Sequence, residues 1–351
     1  MRFLAGRDLA DRIALEDDLV IRADNAEVLP RLPGGAFDLI YIDPPFNTGR
    51  AQARTQISVI PDPDGDRVGF AGRRYATTEL PGRAYADAFG DYQGFIAPRL
   101  DEARRLLASH GTLYFHIDYR EAHYCKILLD QIFGRQCFLN EIIWAYDYGA
   151  RTKRRWPAKH DTILVYVKDP TAYHFDSEEV DREPYMAPGL QTPERAAAGK
   201  LPVDVWWHTI VPTSGREKTG YPTQKPEGIV RRMVAASSRP DGWCLDFFAG
   251  SGTLGAAALG LGRRFVLVDS NPEAIDTCRT RLEALADSPS RPALPASGSP
   301  QSPPGSAHPR SGPRQPPSGS AHPRGGSPHP PRGSAHPRGG RSGDGPLQSE
   351  G

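Results

Sequence analysis

The sequence predicts an α/β domain built on a mostly parallel sheet whose strands are circularly permuted. Three observations predict it. Short apolar runs end in an acid: residues 19–22 lead to Asp24, 37–42 to Asp43, 112–117 to Asp118, 243–245 to Asp246 and 264–268 to Asp269. Runs of this kind suit strands buried on both faces of a parallel sheet, and helical apolar spacing separates them. A glycine turn, Ala249-Gly250-Ser251-Gly252-Thr253, arrives late, and one strand and one helix follow it before the composition changes. The strands that complete its sheet are therefore upstream, including the one that delivers Asp43.

Taken in order, residues 1–18 are charged and irregular and read as a helix plus loop ahead of the domain. The strand at 19–22 closes on Asp24-Asn25, and a helix over 26–32 stops near Gly34-Gly35. Phe37, Leu39, Ile40, Tyr41 and Ile42 then form a buried strand that runs straight into Asp43-Pro44-Pro45-Phe46. Residues 50–88 are rich in Gly, Arg, Asp and Pro and read as a long loop, a feature that in compact domains usually carries function, here closing over the Asp43 motif. Ile96, Leu100, Ala103, Leu106 and Leu107 repeat at helical spacing up to Gly111, and Tyr124, Ile127, Leu128, Gln131 and Ile132 up to Gly134. Two β-rich runs, 138–146 and 162–167, form an antiparallel pair. Residues 170–225 lack periodicity, though Trp206 and Trp207 must pack or stack on something. A helix marked by Ile229, Met233 and Val234, the strand at 243–248, the glycine turn with its helix over 254–261, the strand at 264–268 and a helix over 272–285 close the domain at residues 19–287.

From Ser288 to Gly351 the chain turns to Pro, Gly, Ser, Arg and His, too poor in large apolar residues to offset the entropy of ordering, and reads as a disordered tail. Gly-Ser-Ala-His-Pro-Arg recurs there from Gly305, Gly319 and Gly333, without the apolar face that solenoid repeats bury. Seven arginines against Asp344 and Glu350 make the tail +5, leaving 36 basic and 40 acidic residues elsewhere, a body at −4 within the chain's net +1. A mildly acidic body excludes a general nucleic-acid coat protein, so contact with a polyanion falls to local patches. The loop at 149–160 is such a patch, with Arg151, Lys153, Arg154, Arg155 and Lys159 beside Trp156, a mixture suited to phosphate contacts and base stacking as well as to a plain solvated surface. Cys125, Cys137, Cys244 and Cys278 are widely spaced and form neither a disulfide framework nor a zinc pattern, so no metal is expected. Without a signal-peptide core or an 18-residue apolar run, the expectation is a soluble, cytoplasmic, nucleoid-associated protein.

Two stretches carry chemistry. An acid, two prolines and an aromatic ring at a strand's carboxyl end place an acceptor and a stacking surface where open α/β sheets bind ligands, although Pro-Pro alone also makes a rigid turn. Gly250, Gly252 and Gly255 satisfy the dinucleotide pattern G-x-G-x-x-G, with a strand before and an acid, Asp269, after the next strand. A nicotinamide or flavin domain, however, begins with this loop rather than ending on it.

In this order the residues resemble the beta class of DNA amino-methyltransferases: Asp-Pro-Pro-Phe-Asn-Thr-Gly at 43–49, His116-Ile117-Asp118, Phe138-Leu139-Asn140-Glu141-Ile142, Gly-Tyr-Pro-Thr-Gln-Lys-Pro at 220–226 and Asp-Phe-Phe-Ala-Gly-Ser-Gly-Thr at 246–253. The resemblance spans nearly all of residues 19–285. It implies a Rossmann-like methyltransferase sheet with an antiparallel terminal hairpin, S-adenosylmethionine as cofactor, double-stranded DNA as substrate and a target-recognition region at about 145–222. A homodimer and a separate restriction endonuclease are the further partners it admits. By resemblance Asp43, Pro44, Pro45 and Phe46 are catalytic, while Asp24, Thr223, Lys225, Pro226, Asp246, Phe248, Gly250, Gly252, Thr253 and Asp269 bind the cofactor. For Asp24 and Asp118 a helix cap or turn is an equal reading. The Asp-led motif is closer to adenine-N6 enzymes than to the Ser-led cytosine-N4 enzymes, with Phe46 in place of the commoner Tyr. No cysteine follows a proline, which sets the chain apart from cytosine-C5 enzymes. RNA or protein-glutamine methylation and a catalytically silent DNA-binding module are the more distant alternatives.

Overall fold

The computed structural model describes residues 1–48, 89–149, 151–212, 215 and 217–287, and between them residues 52–61, 64, 67–68 and 74–85. Its strands and main helices, in chain order, are β1 (Arg2–Ala5), β2 (Leu19–Arg22), α1 (Asn25–Val28), β3 (Phe37–Ile42), β4 (Gln52–Pro61), β5 (Arg67–Val68), β6 (Arg74–Tyr85), α2 (Tyr92–Leu106), β7 (Leu107–Ile117), α3 (Ala122–Phe133), β8 (Phe138–Ala145), β9 (His160–Val167), α4 (Pro193–Ala198), β10 (Val205–Trp207), α5 (Glu227–Ser237), β11 (Trp243–Asp246), α6 (Thr253–Gly260), β12 (Arg264–Asp269) and α7 (Pro272–Ala286). The predicted tail, 288–351, lies outside the described residues.

The main sheet has nine strands in the order β1-β2-β12-β11-β3-β7-β9-β8-β10. Its pairings are parallel except where β9 meets β7 and β8. The late strand β11 sits between β12 and β3, so the glycine turn and the Asp43 motif leave neighbouring strands, as the permuted order requires. Side chains alternate across the sheet: Ile40 and Ile42 of β3 join the core under α2 and α3, and Leu39 and Tyr41 join the core under α5, α6 and α7. Both faces are thus covered, which is why the parallel strands read as nearly unbroken apolar runs. Asp38 interrupts β3 because its buried carboxylate accepts from the Arg239 guanidinium at 2.9 and 3.0 Å and bonds His110 Nε2 at 2.8 Å. Burial pushes this carboxyl up, and the bonds from Arg239 and His110 outweigh it, holding it below its ordinary value.

The structure departs from the sequence expectations at several points. Residues 1–18 contribute β1, paired with β2, and a single 3₁₀ turn, rather than a helix. The helix expected over 26–32 is one α turn followed by a 3₁₀ turn at Leu29–Arg31, as Pro30 dictates. Within the expected loop at 50–88, the described residues 52–61, 67–68 and 74–85 form a three-stranded antiparallel sheet, β4-β6-β5, held by backbone pairing from Gln52↔Tyr85 to Pro61↔Tyr75 that needs no apolar periodicity. Helix α2 ends at Leu106, and Gly111 instead marks the irregularity where β7 meets β3, since a Cβ there would stand 2.6 Å from the Phe37 carbonyl oxygen. Strand β10 extends the sheet beyond the expected hairpin; Trp206 is buried in it and Trp207 faces outward. Among the described residues no helix is long and apolar enough to cross a membrane.

Candidate active site

Because β2, β12, β11, β3 and β7 run parallel, their carboxyl ends share one edge, which brings Asp24, Asp269, Asp246, Asp43 and Asp118 to the same side of the sheet. All of these except Asp118 line one cavity of about 460 Å³, with Tyr41, Phe46, Phe95, Tyr221 and Phe248 among its walls. Apolar and aromatic lining with a few converging polar groups, at the edge where strands end, is the usual form of a small-molecule site. A second concavity of similar volume, bordered by Arg104, Leu107, Phe133 and Lys168, lies at the opposite edge.

Asp43 faces Lys225, whose ammonium donates to Asp43 Oδ1 at 2.8 Å, stands 3.9 Å from Asp161 Oδ2 and lies 4.5 Å from the centre of the Phe46 ring. Behind it runs a buried network. His116 Nε2 is 3.1 Å from Asp161 Oδ2, Tyr146 donates its hydroxyl to Asp161 Oδ1 at 3.0 Å, and Tyr41 Oη is 3.0 Å from His116 Nδ1. The ionised Asp161 carboxylate can only accept, so His116 presents a proton to it from Nε2, and burial keeps the Tyr41 phenol protonated at the other ring nitrogen. Burial also raises the Asp161 carboxyl, but the His116 bond and the Lys225 charge outweigh it and hold the group ionised. Asn47, at φ 53°, pins the motif from the other side by bonding Glu121 at 2.8 Å and the Phe89 amide at 2.9 Å.

The other half of the cavity carries acceptors of the kind that nucleoside hydroxyls need. Asp269 accepts the Gly250 and Asn271 amides at 2.8 Å each, yet burial still raises its carboxyl. A buried carboxylate of this kind is a strong acceptor for a ribose diol. Asp246 is held well above its ordinary value, by burial first and then by the neighbouring Asp43 and Asp269 charges, against one bond from the Phe248 amide at 2.9 Å. Gly250 adopts φ +50°, and a Cβ there would stand 3.4 Å from the Tyr221 ring, so glycine keeps this part of the cavity open. The residues lining this half of the cavity therefore fit S-adenosylmethionine.

The structure brings most of the sequence-predicted site residues together. Asp43, Pro44, Pro45, Phe46, Asp24, Thr223, Lys225, Asp246, Phe248, Gly250, Thr253 and Asp269 all line the cavity. Pro226 and Gly252 stand behind its wall as the N-caps of α5 and α6. Asp24 also caps α1 through the Ala26 amide at 2.9 Å and pairs with Arg99 at 3.4 Å, so the cap reading holds beside the lining position. Asp118 accepts the Arg120 amide at 2.9 Å, a turn acid. Arg151, Lys153, Arg154 and Arg155 are exposed and do not join the cavity, while Lys159 pairs with Asp147. Their loop nevertheless leaves the same sheet edge, because β8 runs parallel to β7, and Trp156 on it is 94% exposed. Sequence reasoning missed Tyr41, His116 and Asp161 as one network. The usable signal was a polar residue at the start of an apolar run, Asp161, on a strand whose antiparallel direction brings its first residues to the carboxyl edge.

Residues 37–280 match the family profile for N6/N4 methyltransferases, described as DNA methylase. The chain is 28% identical over 268 residues to the type II methyltransferase M.HpaI of Haemophilus parainfluenzae, covering 76% of this chain and 75% of that protein. It is 27% identical over 280 residues to the DNA adenine methyltransferase YhdJ of Escherichia coli strain K12, covering 78% and 85%. Among solved structures it is similar in fold to the PvuII DNA methyltransferase (cytosine-N4-specific), with a TM-score of 0.53 at 14% identity over 75% of this chain and 85% of that one.

Proposed function

Because the chain belongs to the N6/N4 DNA methylase family, we propose that it transfers a methyl group from S-adenosylmethionine to the exocyclic N6 of adenine in double-stranded DNA. The observation that carries this reading is that Asp43 and Asp269 wall one cavity, the first placed to hold an amine and the second to hold a ribose. When bound, the cofactor would supply an electrophilic methyl on a sulfonium centre and leave as the neutral thioether once the C–S bond breaks, while the amine's surplus proton passes through the Asp43 hydrogen bond to solvent. An exocyclic amine is a poor nucleophile because its lone pair is delocalised into the ring. The Asp43 carboxylate and the Pro44 carbonyl accept its two N–H bonds, draw the nitrogen toward tetrahedral geometry and stabilise the charge that develops on it. Phe46 stacks on the base. Reaching this pocket requires the base to leave the duplex, at a cost of a few kcal/mol that stacking of about 1–3 kcal/mol partly offsets. Tyr221, Phe248 and Asp269 would hold the cofactor in the cavity that Asp43 also lines, and this proximity would supply the remaining advantage.

Two features support adenine: the Asp-led motif and the likeness to an enzyme named as a DNA adenine methyltransferase. Nucleoside mass spectrometry of DNA from a host expressing the protein is expected to reveal N6-methyladenine. N4-methylcytosine in its place would reverse the base assignment, and RNA or protein as sole methyl acceptor would remove DNA as substrate.

The region at 145–222 supplies target recognition, and the hairpin between β8 and β9 supplies cations to the DNA backbone. Replacing Arg151, Lys153 and Arg154 together with Gln is expected to flatten the dependence of log binding constant on log salt by about 0.9 for each phosphate that the protein then leaves unneutralised. Fluorescence anisotropy with duplex DNA at several salt concentrations measures this, and an unchanged slope removes the hairpin from the DNA interface.

A further inference from the structure

Lys225 engages, in this structure, the groups that the proposed reaction needs free. Its ammonium bonds the Asp43 oxygen that is to accept the amine and lies over the Phe46 ring that is to stack on the base. The side chain is largely buried, so water offers the ammonium little replacement for Asp43. A second anionic acceptor is close by. Asp161 Oδ2 stands 3.9 Å away, and closing that gap to a charge-assisted bond of about 2.8 Å is a small side-chain movement. Asp161 is fixed for this purpose: His116 and Tyr146 hold its two oxygens, and Tyr41 bonds the other His116 ring nitrogen, so the carboxylate is held in place beside Lys225.

We propose that Asp161 is a positioning residue for methyl transfer, the second berth to which the Lys225 ammonium moves when the target amine takes Asp43. The inference rests on the reading of Asp43 as the amine's acceptor. It explains a buried His-Asp pair that the transfer chemistry itself does not use. With the ammonium shared rather than expelled, the site keeps one cation between two carboxylates throughout, and each step exchanges one charged bond for another. Without the berth, the amine must compete with a cation that has nowhere to go.

The test is a double-mutant cycle on the full chain, reading methyl transfer to DNA and calorimetric binding of S-adenosylmethionine. Asp161→Asn keeps the shape and an acceptor for Tyr146 but removes the charge. It is expected to lower kcat by about tenfold, with cofactor Kd and DNA KM changed by less than about twofold. Lys225→Gln removes the competing cation together with a group of the cavity wall, so its own kcat is the reference of the cycle, and in its background Asp161→Asn is expected to change kcat by less than about twofold. An equal loss from Asp161→Asn in both backgrounds would identify a merely structural residue and overturn the proposal. So would a Lys225→Gln protein that binds cofactor but transfers no methyl group. Should Asp161→Asn not fold, Tyr146→Phe, which removes one of the two bonds holding Asp161, is read in the same two backgrounds. Failure of the wild-type protein to methylate DNA is a different result, which removes the proposed function rather than this step.

Discussion

Replacing Asp43 with alanine is expected to lower methyl transfer to DNA by at least about 10²–10³-fold, the usual loss when a preorganised group stabilising transition-state charge is removed. The carboxylate is the anion at the end of β3 that meets the Lys225 ammonium, and the backbone beside it is locked by Pro44 and Pro45. Alanine leaves the Pro44 carbonyl in place, so the amine keeps one acceptor and loses the charged one. It also releases Lys225 to Asp161, so no carboxylate faces the nitrogen that becomes positive as the methyl arrives. Both effects act on the transferring amine rather than on the nucleoside half of the cavity, where Asp269 and the Gly250 turn lie. Calorimetry is therefore expected to give a cofactor Kd within about threefold of wild type while single-turnover transfer collapses. Retained transfer would take Asp43 out of the amine-holding role. Transfer and cofactor binding abolished together would mean that the substitution had disturbed the cavity as a whole.

The strand that delivers Asp43 and the turn that carries Gly250 are legible in the sequence because each pairs a short, wholly buried run with residues that cannot continue it. Leu39–Ile42 is buried on both faces and then meets an acid and two prolines, and the buried Cys244–Asp246 ends on an acid with the Gly250 turn four residues on. The permuted order follows from counting what remains after the glycine turn. What stays hidden depends on pairing. Lys225 meets Asp43 across 182 residues of sequence, and nothing local to either side chain announces the other. Asp161 reaches the site only because β9 is antiparallel to β7, which pairs Ile117 with Thr162 and so carries Asp161 to the same edge as Asp43. The strands between 52 and 85 read as loop because their pairing rests on backbone hydrogen bonds, which leave no apolar period to find.

Asp269→Asn is expected to weaken S-adenosylmethionine binding by about 10- to 100-fold, the range for losing charge-assisted hydrogen bonds of roughly 1.5–3 kcal/mol. The pH dependence distinguishes this from a general packing defect. Burial raises the Asp269 carboxyl above its ordinary 3.8 in the folded protein, against the bonds it accepts from the Asn271, Gly250 and Ser270 amides. An acid raised by folding costs stability once pH exceeds its unfolded value, because the unfolded chain ionises more readily than the fold does. Ribose hydroxyls donate to the carboxylate and so favour its ionised form. Cofactor binding is thus expected to release a proton at pH values around that raised pKa, and affinity to rise with pH through it. In Asp269→Asn both the proton release and the acid-side loss of affinity should vanish, while the melting temperature without cofactor stays within about 3 °C of wild type, since the replaced group was itself held at a cost. Asp246 is raised by the same burial and senses the Asp269 charge, so Asp246→Asn serves as the control. If the proton release follows Asp246 instead, the titrating partner of the cofactor is the acid at the end of β11 rather than the one at the end of β12.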